Sequence, residues 1–276
     1  MKYIDIESII KNSSFKLLKR LPSFIIKLII RIVKQEEINE ILTRHSENIG
    51  VDFLEKMLKE FNLTLIIEGK ENLPENGKCF FVSNHPFGVI DGLVLTHTVS
   101  QKYGTLKAIG NDSFNFIPHL RPLIAAVNSF GMSPKEYINA LEKVFESDIP
   151  ITHFPAGEVS RVYNFKVQDC KWQKSMITKS IANKRDIVPI HIYGRNSRLF
   201  YSIGVIRKIF FINLNLELML LPSEMLKKRN ATIRVRIGKP ISYEKFNSSQ
   251  NHWDWAQRVR KHVYDLGKSK DGDITF

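Results

Sequence analysis

The sequence predicts one α/β domain, a mixed sheet flanked by helices, preceded by a basic amphipathic helical segment. Three observations carry this. Apolar runs of strand length recur along the chain and alternate with stretches at helical spacing. Several of those runs stop at clusters of polar, glycine and proline residues, and the carboxyl ends of strands are where open α/β sheets build their sites. The chain has 276 residues, 43% of them hydrophobic, which is enough to bury a full core. No internal repeat or low-complexity linker interrupts it.

Residues 1–45 form the first expected unit and 46–276 the second. The first is very apolar, yet Lys11, Lys16, Lys19, Arg20, Lys27, Arg31 and Lys34 punctuate it with no acid between Lys11 and Lys34. Pro22 separates two helices. The second of these, from Ser23 to about Val33, is apolar on most faces, with Lys27 and Arg31 one turn apart on the remaining one. That pattern suits a helix lying in a headgroup layer, where each surface cation adds about 1 kcal/mol on an anionic leaflet. A basic helix pair packed on the core is the alternative. No cleavable signal peptide and no uninterrupted membrane-spanning run is expected.

The whole chain has the same charge bias: 41 Lys and Arg against 28 Asp and Glu, formally +13. Such a balance favours anionic partners. An anionic membrane surface is preferred here, because the cations accompany an apolar helix face; no nucleic acid is expected as a partner. Cys79 and Cys170 are far apart and fit no metal or CxxC spacing, and Cys79 reads as a small core residue.

After a helical region from Glu36 to Phe61, strands are expected at Leu63 to Glu68, Cys79 to Ser83, Lys107 to Asp112, Ile149 to Phe154, Asp186 to Tyr193 and Thr232 to Ile241. The stretch from Phe114 to Leu123 is apolar and broken by proline, either a greasy channel lining or a buried connection. Ser133-Pro134-Lys135-Glu136 opens a helix with a serine cap, proline first and glutamate third. Two apolar runs, Ile209 to Ile212 and Leu214 to Leu221, follow the fourth polar strand end. A charged helix from Trp253 to Leu266 closes the chain.

The chemistry concentrates at Asn84-His85-Pro86-Phe87-Gly88-Val89-Ile90-Asp91-Gly92. His85 follows a buried strand, and Asp91 falls on the first turn of the next helix. A carboxylate on Nδ1 of an imidazole fixes its tautomer and leaves Nε2 free to take a proton. This is the base and orienter of a catalytic triad without its serine, so the nucleophilic hydroxyl must come from a substrate. A core or surface histidine beside an ordinary Asp-Gly turn is the bland alternative.

Four polar strand ends in this order resemble the glycerolipid acyltransferase family. The blocks are Asn84-His85-x5-Asp91-Gly92, Gly110-Asn111-Asp112, Phe154-Pro155-Ala156-Gly157-Glu158-Val159-Ser160-Arg161 and Val188-Pro189-Ile190. The first is one residue longer than the family's His-x4-Asp, so a bulge at Gly88 has to absorb the extra residue if Asp91 is to reach His85. The third lacks the family's Glu-Gly-Thr-Arg core. With Gly194-Arg195-Asn196-Ser197, these departures resemble a hemolysin-like sub-branch that includes bacterial ornithine- and glycine-lipid O-acyltransferases.

The resemblance implies a catalytic pair, His85 and Asp91, and a substrate-binding set of Asn84, Gly88, Asn111, Asp112, Gly157, Glu158, Arg161, Pro189 and Asn196. Oxyanion donors are expected near Gly157. It implies acyl transfer from an acyl carrier protein or coenzyme A thioester to a lysolipid hydroxyl, without metal or other cofactor, on the cytoplasmic face of the inner membrane as a peripheral protein. A lyso-ornithine or lyso-glycine type lipid is the favoured acceptor. The alternatives are a 1-acylglycerol-3-phosphate acyltransferase making phosphatidate and a non-catalytic, hemolysin-like lipid-binding protein.

Overall fold

A computed structural model describes residues 2–12, 19–110, 117–125, 134–211, 215–270 and 272–276. The strands are β1 (Thr64–Glu68), β2 (Cys79–Ser83), β3 (Lys107–Ala108), β4 (Ile151–His153), β5 (Arg161–Tyr163), β6 (Lys166–Gln168), β7 (Asp186–Ile192) and β8 (Thr232–Ile237). Six of them form one sheet in the order β1-β8-β7-β2-β4-β3, and β5 and β6 form a separate hairpin. Within the large sheet only β7 and β8 run antiparallel; the other pairs are parallel. The sheet is therefore mixed, as the sequence predicts.

Strand β2 lies near the middle, and all five of its residues are buried. Its side chains alternate between two cores, as a strand covered on both faces requires. Cys79 and Phe81 join Val188, Ile190, Val235 and the helix Val89–Tyr103 on one face. Phe80 and Val82 join Ile151, Ile187 and the helices Ser175–Asn183 and His252–Lys268 on the other. Burial pushes the Cys79 thiol up to about 12, which fits an inert core residue.

The described helices are α1 (Ile6–Asn12), α2 (Ser23–Val33), α3 (Gln35–Arg44), α4 (Gly50–Glu60), α5 (Val89–Tyr103), α6 (Pro134–Glu146), α7 (Ser175–Asn183), α8 (Arg198–Ile209), α9 (Leu221–Leu226) and α10 (His252–Lys268). The single helical region expected from Glu36 to Phe61 is two helices, because the chain turns at residues 45–49 and Gly50 takes a left-handed φ of 60°. The division expected after residue 45 falls within one cluster: Ile38, Ile41 and Leu42 of α3 pack with Phe53 and Met57 of α4. Helix α2 also docks on the body, through Ile32 and Val33, against the 3-10 turn Leu216–Leu220 and α9. Among the described residues, no helix is long and apolar enough to cross a membrane.

Three expected strands are shorter than the pattern suggests; Ile149 to Phe154 narrows to β4, Ile151–His153, between Pro150 and Pro155. The second half of Lys107 to Asp112 reaches into residues outside the described set, and β8 stops at Ile237 because Gly238-Lys239-Pro240 breaks the ladder. The β5–β6 hairpin was not among the expected strands; three residues per strand leave too little alternation to read.

His191 of β7 packs edge-on to Tyr193 and Tyr264. Burial pushes its imidazole down from the usual 6.5 to about 4; a bond to the Val263 backbone opposes the shift, while Arg236 and Lys268 add to it. Above 6.5 the ring is neutral whether the chain is folded or not. Between about 6.5 and about 4 only the unfolded chain takes up the proton. Stability is therefore expected to fall as pH drops through that window, by up to about 1.4 kcal/mol per pH unit. Urea titrations of wild type and His191→Gln across the window check this, the variant having the flatter profile.

Candidate active site

Strands β7, β2 and β4 are parallel neighbours, so their carboxyl ends form one edge. The residues that follow them are Tyr193-Gly194-Arg195-Asn196, Asn84-His85 and Phe154-Pro155, three of the polar strand ends seen in the sequence. The topology thus gathers segments about 70 and 40 residues apart, an order of separation that only a crossover connection can close.

His85 and Asp91 meet: Nδ1 lies 2.9 Å from Asp91 Oδ2. The same oxygen accepts the Phe87 N–H at 2.6 Å and the Gly88 N–H at 2.8 Å. Asp91 is thereby the third residue of α5 and reaches back to the amide of its cap, the reciprocal half of a capping box. Gly88 has a φ of 92°, which absorbs the extra residue between His85 and Asp91. A side chain there would also press on Leu221 and Val159, at 3.0 and 3.2 Å from an added Cβ. Asp91 is fully buried, and burial pushes its carboxyl up, against the bonds from His85, Gly88 and Phe87 that favour the anion.

The His85 ring stacks on Phe154, with centroids 4.1 Å apart. Its backbone is held as firmly. The His85 N–H donates to Asp169 Oδ1 at 3.1 Å, and the His85 carbonyl accepts the Ser160 N–H at 2.8 Å. Asp169 is buried and also accepts the Ser160 hydroxyl at 2.5 Å and the Trp172 indole N–H at 2.9 Å. Tyr264 OH accepts the Asp169 N–H. Among the described residues nothing hydrogen-bonds His85 Nε2, and the side chain is 17% exposed. The ring can therefore take a proton from a group that arrives from outside.

Residues 8–273 match the family described as Acyltransferase. The chain belongs to this acyltransferase family. It is 40% identical to the lyso-glycine lipid O-acyltransferase of Phocaeicola vulgatus over 264 residues, covering 95% of each chain. It is 38% identical to the lyso-glycine lipid O-acyltransferase of Bacteroides thetaiotaomicron, covering 95% of this chain and 97% of that one. The solved 1-acyl-sn-glycerophosphate acyltransferase of Thermotoga maritima aligns over 79% of this chain and 80% of its own, with 18% identity and a TM-score of 0.49.

Several residues expected to line the acyltransferase site instead hold its frame. Asn84 is buried, and its carboxamide pairs with Ile192, donating to the carbonyl at 2.9 Å and accepting the N–H at 2.8 Å. It extends the β2–β7 ladder by one rung. Pro189 lies in mid-strand, not at a strand end. Its carbonyl accepts the Gly238 N–H, and its ring meets the space beside Gly238. Asn196 is buried and donates to the Phe87 carbonyl at 3.3 Å, which ties the end of β7 to the dyad's own loop. The Gly157 N–H is engaged by the Phe154 carbonyl at 2.9 Å, so this amide is not a free oxyanion donor. Gly157 is exposed with nothing within 4 Å of an added Cβ, leaving room for a close approach. Asn111 and Asp112 lie outside the described residues.

Arg161 is the clearest departure from expectation. It is 3% exposed, donating through Nε to Glu217 Oε1 at 2.7 Å and through Nη1 to Glu158. Glu158 also accepts the Tyr163 hydroxyl at 2.7 Å. Arg207 donates to the second oxygen of Glu217 at 3.0 Å. Burial would raise the Glu217 carboxyl, yet the bonds from its own backbone and from Arg161 and Arg207 hold it below its usual range. Two cations and two anions thus neutralise one another, with Arg161 Nη2 buried and, among the described residues, without a hydrogen-bond partner. Glu217 stood inside an apolar run, and Asp169, Trp172 and Tyr264 in stretches without a motif. Nothing local marked them, because their roles come from contacts across the fold.

The dyad's geometry predicts that Asp91→Asn lowers kcat by roughly a thousandfold or more, since an amide no longer fixes the tautomer or supports the imidazolium. Single-turnover acyl transfer beside a circular-dichroism melt checks this. Gly194→Ala is expected to lower activity by disturbing the amide that holds Asp91: an added Cβ would sit 1.9 Å from Phe87 Cζ, at a φ of 146°. Phe87 must move, and its amide with it; steady-state rates compared with Gly157→Ala, where the space is open, separate this effect from strain alone.

Proposed function

We propose that this acyltransferase moves a fatty acyl chain from an acyl thioester to the free hydroxyl of a lysolipid with an amino-acid head, of the lyso-glycine type. The observation that carries the reading is the His85–Asp91 pair with Nε2 unengaged and no serine or cysteine bonded to it among the described residues. The Cys170 thiol is pushed up to about 12, by burial first and then Glu158, and is a poor nucleophile. The acceptor hydroxyl therefore supplies the nucleophile.

In this mechanism His85 Nε2 takes the hydroxyl proton as the oxygen attacks the thioester carbonyl. Asp91 stabilises the imidazolium that forms. The tetrahedral intermediate collapses, the C–S bond breaks, and the leaving thiolate takes the proton back from His85. The ester and a free thiol are the products. Neither a metal nor another cofactor enters these steps.

Two observations favour an acceptor without phosphate. The relatives that align over nearly the whole chain are named for lyso-glycine lipids. Arg161 is buried and already balanced by Glu158 and Glu217, so a phosphate would bring excess negative charge to a cation that two carboxylates face. The donor is an acyl carrier protein or coenzyme A thioester, and the formal charge of +13 suits the acidic carrier protein as well as an anionic lipid surface. The protein works as a peripheral enzyme on the cytoplasmic face of the inner membrane.

Acyl transfer from radiolabelled acyl-carrier thioester tests this, with lyso-glycine lipid and lysophosphatidate side by side. Wild type is expected to label the glycine lipid, and His85→Ala to lose the activity by roughly a thousandfold or more. Transfer to lysophosphatidate alone would overturn the acceptor assignment. Vesicle binding that survives in a wild type without any transfer would favour the non-catalytic reading.

A further inference from the structure

Helix α8 is amphipathic in the wrong sense for a water-facing helix. Its inner side carries the Arg207–Glu217 pair, Gly204 close above Glu217, and Tyr201, whose hydroxyl accepts the Asn196 N–H. Its outer side, running on past its end, is apolar: Leu199, Ile206, Ile209, Phe210 and Phe211 are all exposed, Phe210 at 70% and Phe211 at 90%. Helices bordering water show the opposite pattern, and monomeric proteins seldom expose a contiguous patch of this kind.

The patch extends onto two neighbouring elements. The turn Leu216–Leu220 packs on both α8 and α2, and Ile32 of α2 shares a cluster with Phe200 and Tyr201 of α8. The exposed stripe of α2 is Phe24, Lys27, Leu28 and Arg31, one helical face at three- and four-residue spacing. On the other side β5 packs on α8, and the Lys208 ammonium sits 4.1 Å from the Tyr163 ring centroid. The β5–β6 hairpin turns through Asn164 and Phe165, with φ of 50° and 60°. Glycine usually takes the second place of such a turn. Here a fully exposed phenylalanine occupies it.

Cations accompany these apolar groups. Lys27, Arg31 and Arg198 are exposed and, among the described residues, pair with no carboxylate. Lys208 is exposed and rests on a tyrosine ring. Exposed aromatic and aliphatic groups on adjoining elements, with unpaired cations among them, match a bilayer surface: acyl chains and glycerol for the former, lipid phosphates for the latter.

We propose that the outer side of α8 with its continuation to Phe211, the exposed stripe of α2 and the Phe165 tip form one plane that seats the enzyme on an anionic bilayer. Helix α8 begins two residues after Asn196, which bonds the Phe87 carbonyl in the loop that holds Asp91. The plane therefore borders the dyad, and a lipid hydroxyl reaches His85 without leaving the interface. The inference rests on the lysolipid reading only in taking the acceptor from a membrane. It differs from an anchor made of the N-terminal segment alone, since residues 199–211 and the hairpin share the contact.

Flotation of the full chain with vesicles of phosphatidylglycerol and phosphatidylcholine tests it without any turnover. The pair Phe210→Asp and Phe211→Asp is expected to weaken binding by roughly tenfold or more, since burying even one aromatic side chain is worth that much. Phe165→Asp, at a separate element, should weaken it by a smaller factor. Ile138→Asp on α6, exposed but away from the plane, should bind as wild type does. Binding should fall with salt and on phosphatidylcholine alone. Circular-dichroism melts confirm that each variant is folded. Where transfer is active, turnover of vesicle-embedded acceptor relative to a monomeric short-chain acceptor should fall in the paired variant. Wild-type flotation of the paired variant would overturn the proposal. So would sedimentation showing that wild type is a dimer through this face and the paired variant a monomer.

Discussion

Asp91 Oδ2 is the atom on which the site depends. It receives three donors, the His85 imidazole and the amides of Phe87 and Gly88, while lying wholly out of water. A buried carboxylate without such bonds would be driven to its neutral form. Here the amides are supplied by the turn that opens α5, so the local fold and the charge require one another. The turn needs a carboxylate to satisfy its orphan amides, and the carboxylate needs the turn to stay ionised beside His85. The left-handed Gly88 permits this, and Phe87 is kept in place by the bare backbone of Gly194 and by Asn196.

Around this atom, the polar residues of the strand ends divide into two kinds. Some hold the frame: Asn84 lengthens a ladder, Asp169 fastens the His85 amide to Ser160 and Trp172, and Asn196 joins β7 to the first loop. Others make a charge-balanced unit, in which Arg161 and Arg207 face Glu158 and Glu217. A buried cluster of this kind adds little to stability against an apolar replacement, but removing one member leaves an uncompensated charge. Its chemical consequence is a wall beside the dyad with no net charge to offer a phosphate.

The surface has its own logic. The helix that carries Arg207 inward turns Leu199, Ile206 and Ile209 outward and runs on into the exposed Phe210 and Phe211, an inversion with a physical cost in water. A lipid surface removes that cost and turns the same side chains into a means of placing the active site. The site and the plane meet through α8, so an enzyme seated this way meets its acceptor at the interface.

What the sequence by itself determined is the alternation of buried strands with helices, the mixed α/β class, and His85 and Asp91 as candidate partners, while the left-handed Gly88 that lets them meet is seen only in the structure. These rest on local properties: an apolar run long enough for a strand, a turn forced by Pro86 and Gly88, and a carboxylate within one helical turn. The family blocks, from Asn84 to Ile190, were legible for the same reason, each being a short local pattern in or just after an apolar strand. Tertiary structure alone decided what those polar groups do. Arg161 reads as a free cation until Glu217, 56 residues later, is brought against it. Asp169 has no motif because its meaning lies in the backbone of His85, 84 residues away. Likewise, Ile209, Phe210 and Phe211 are at the surface because the other side of α8 packs on β5 and the turn Leu216–Leu220, and sequence hydropathy would be the same for a core run. Side-chain type is a local property; its partner and its exposure are set by the packing of distant segments.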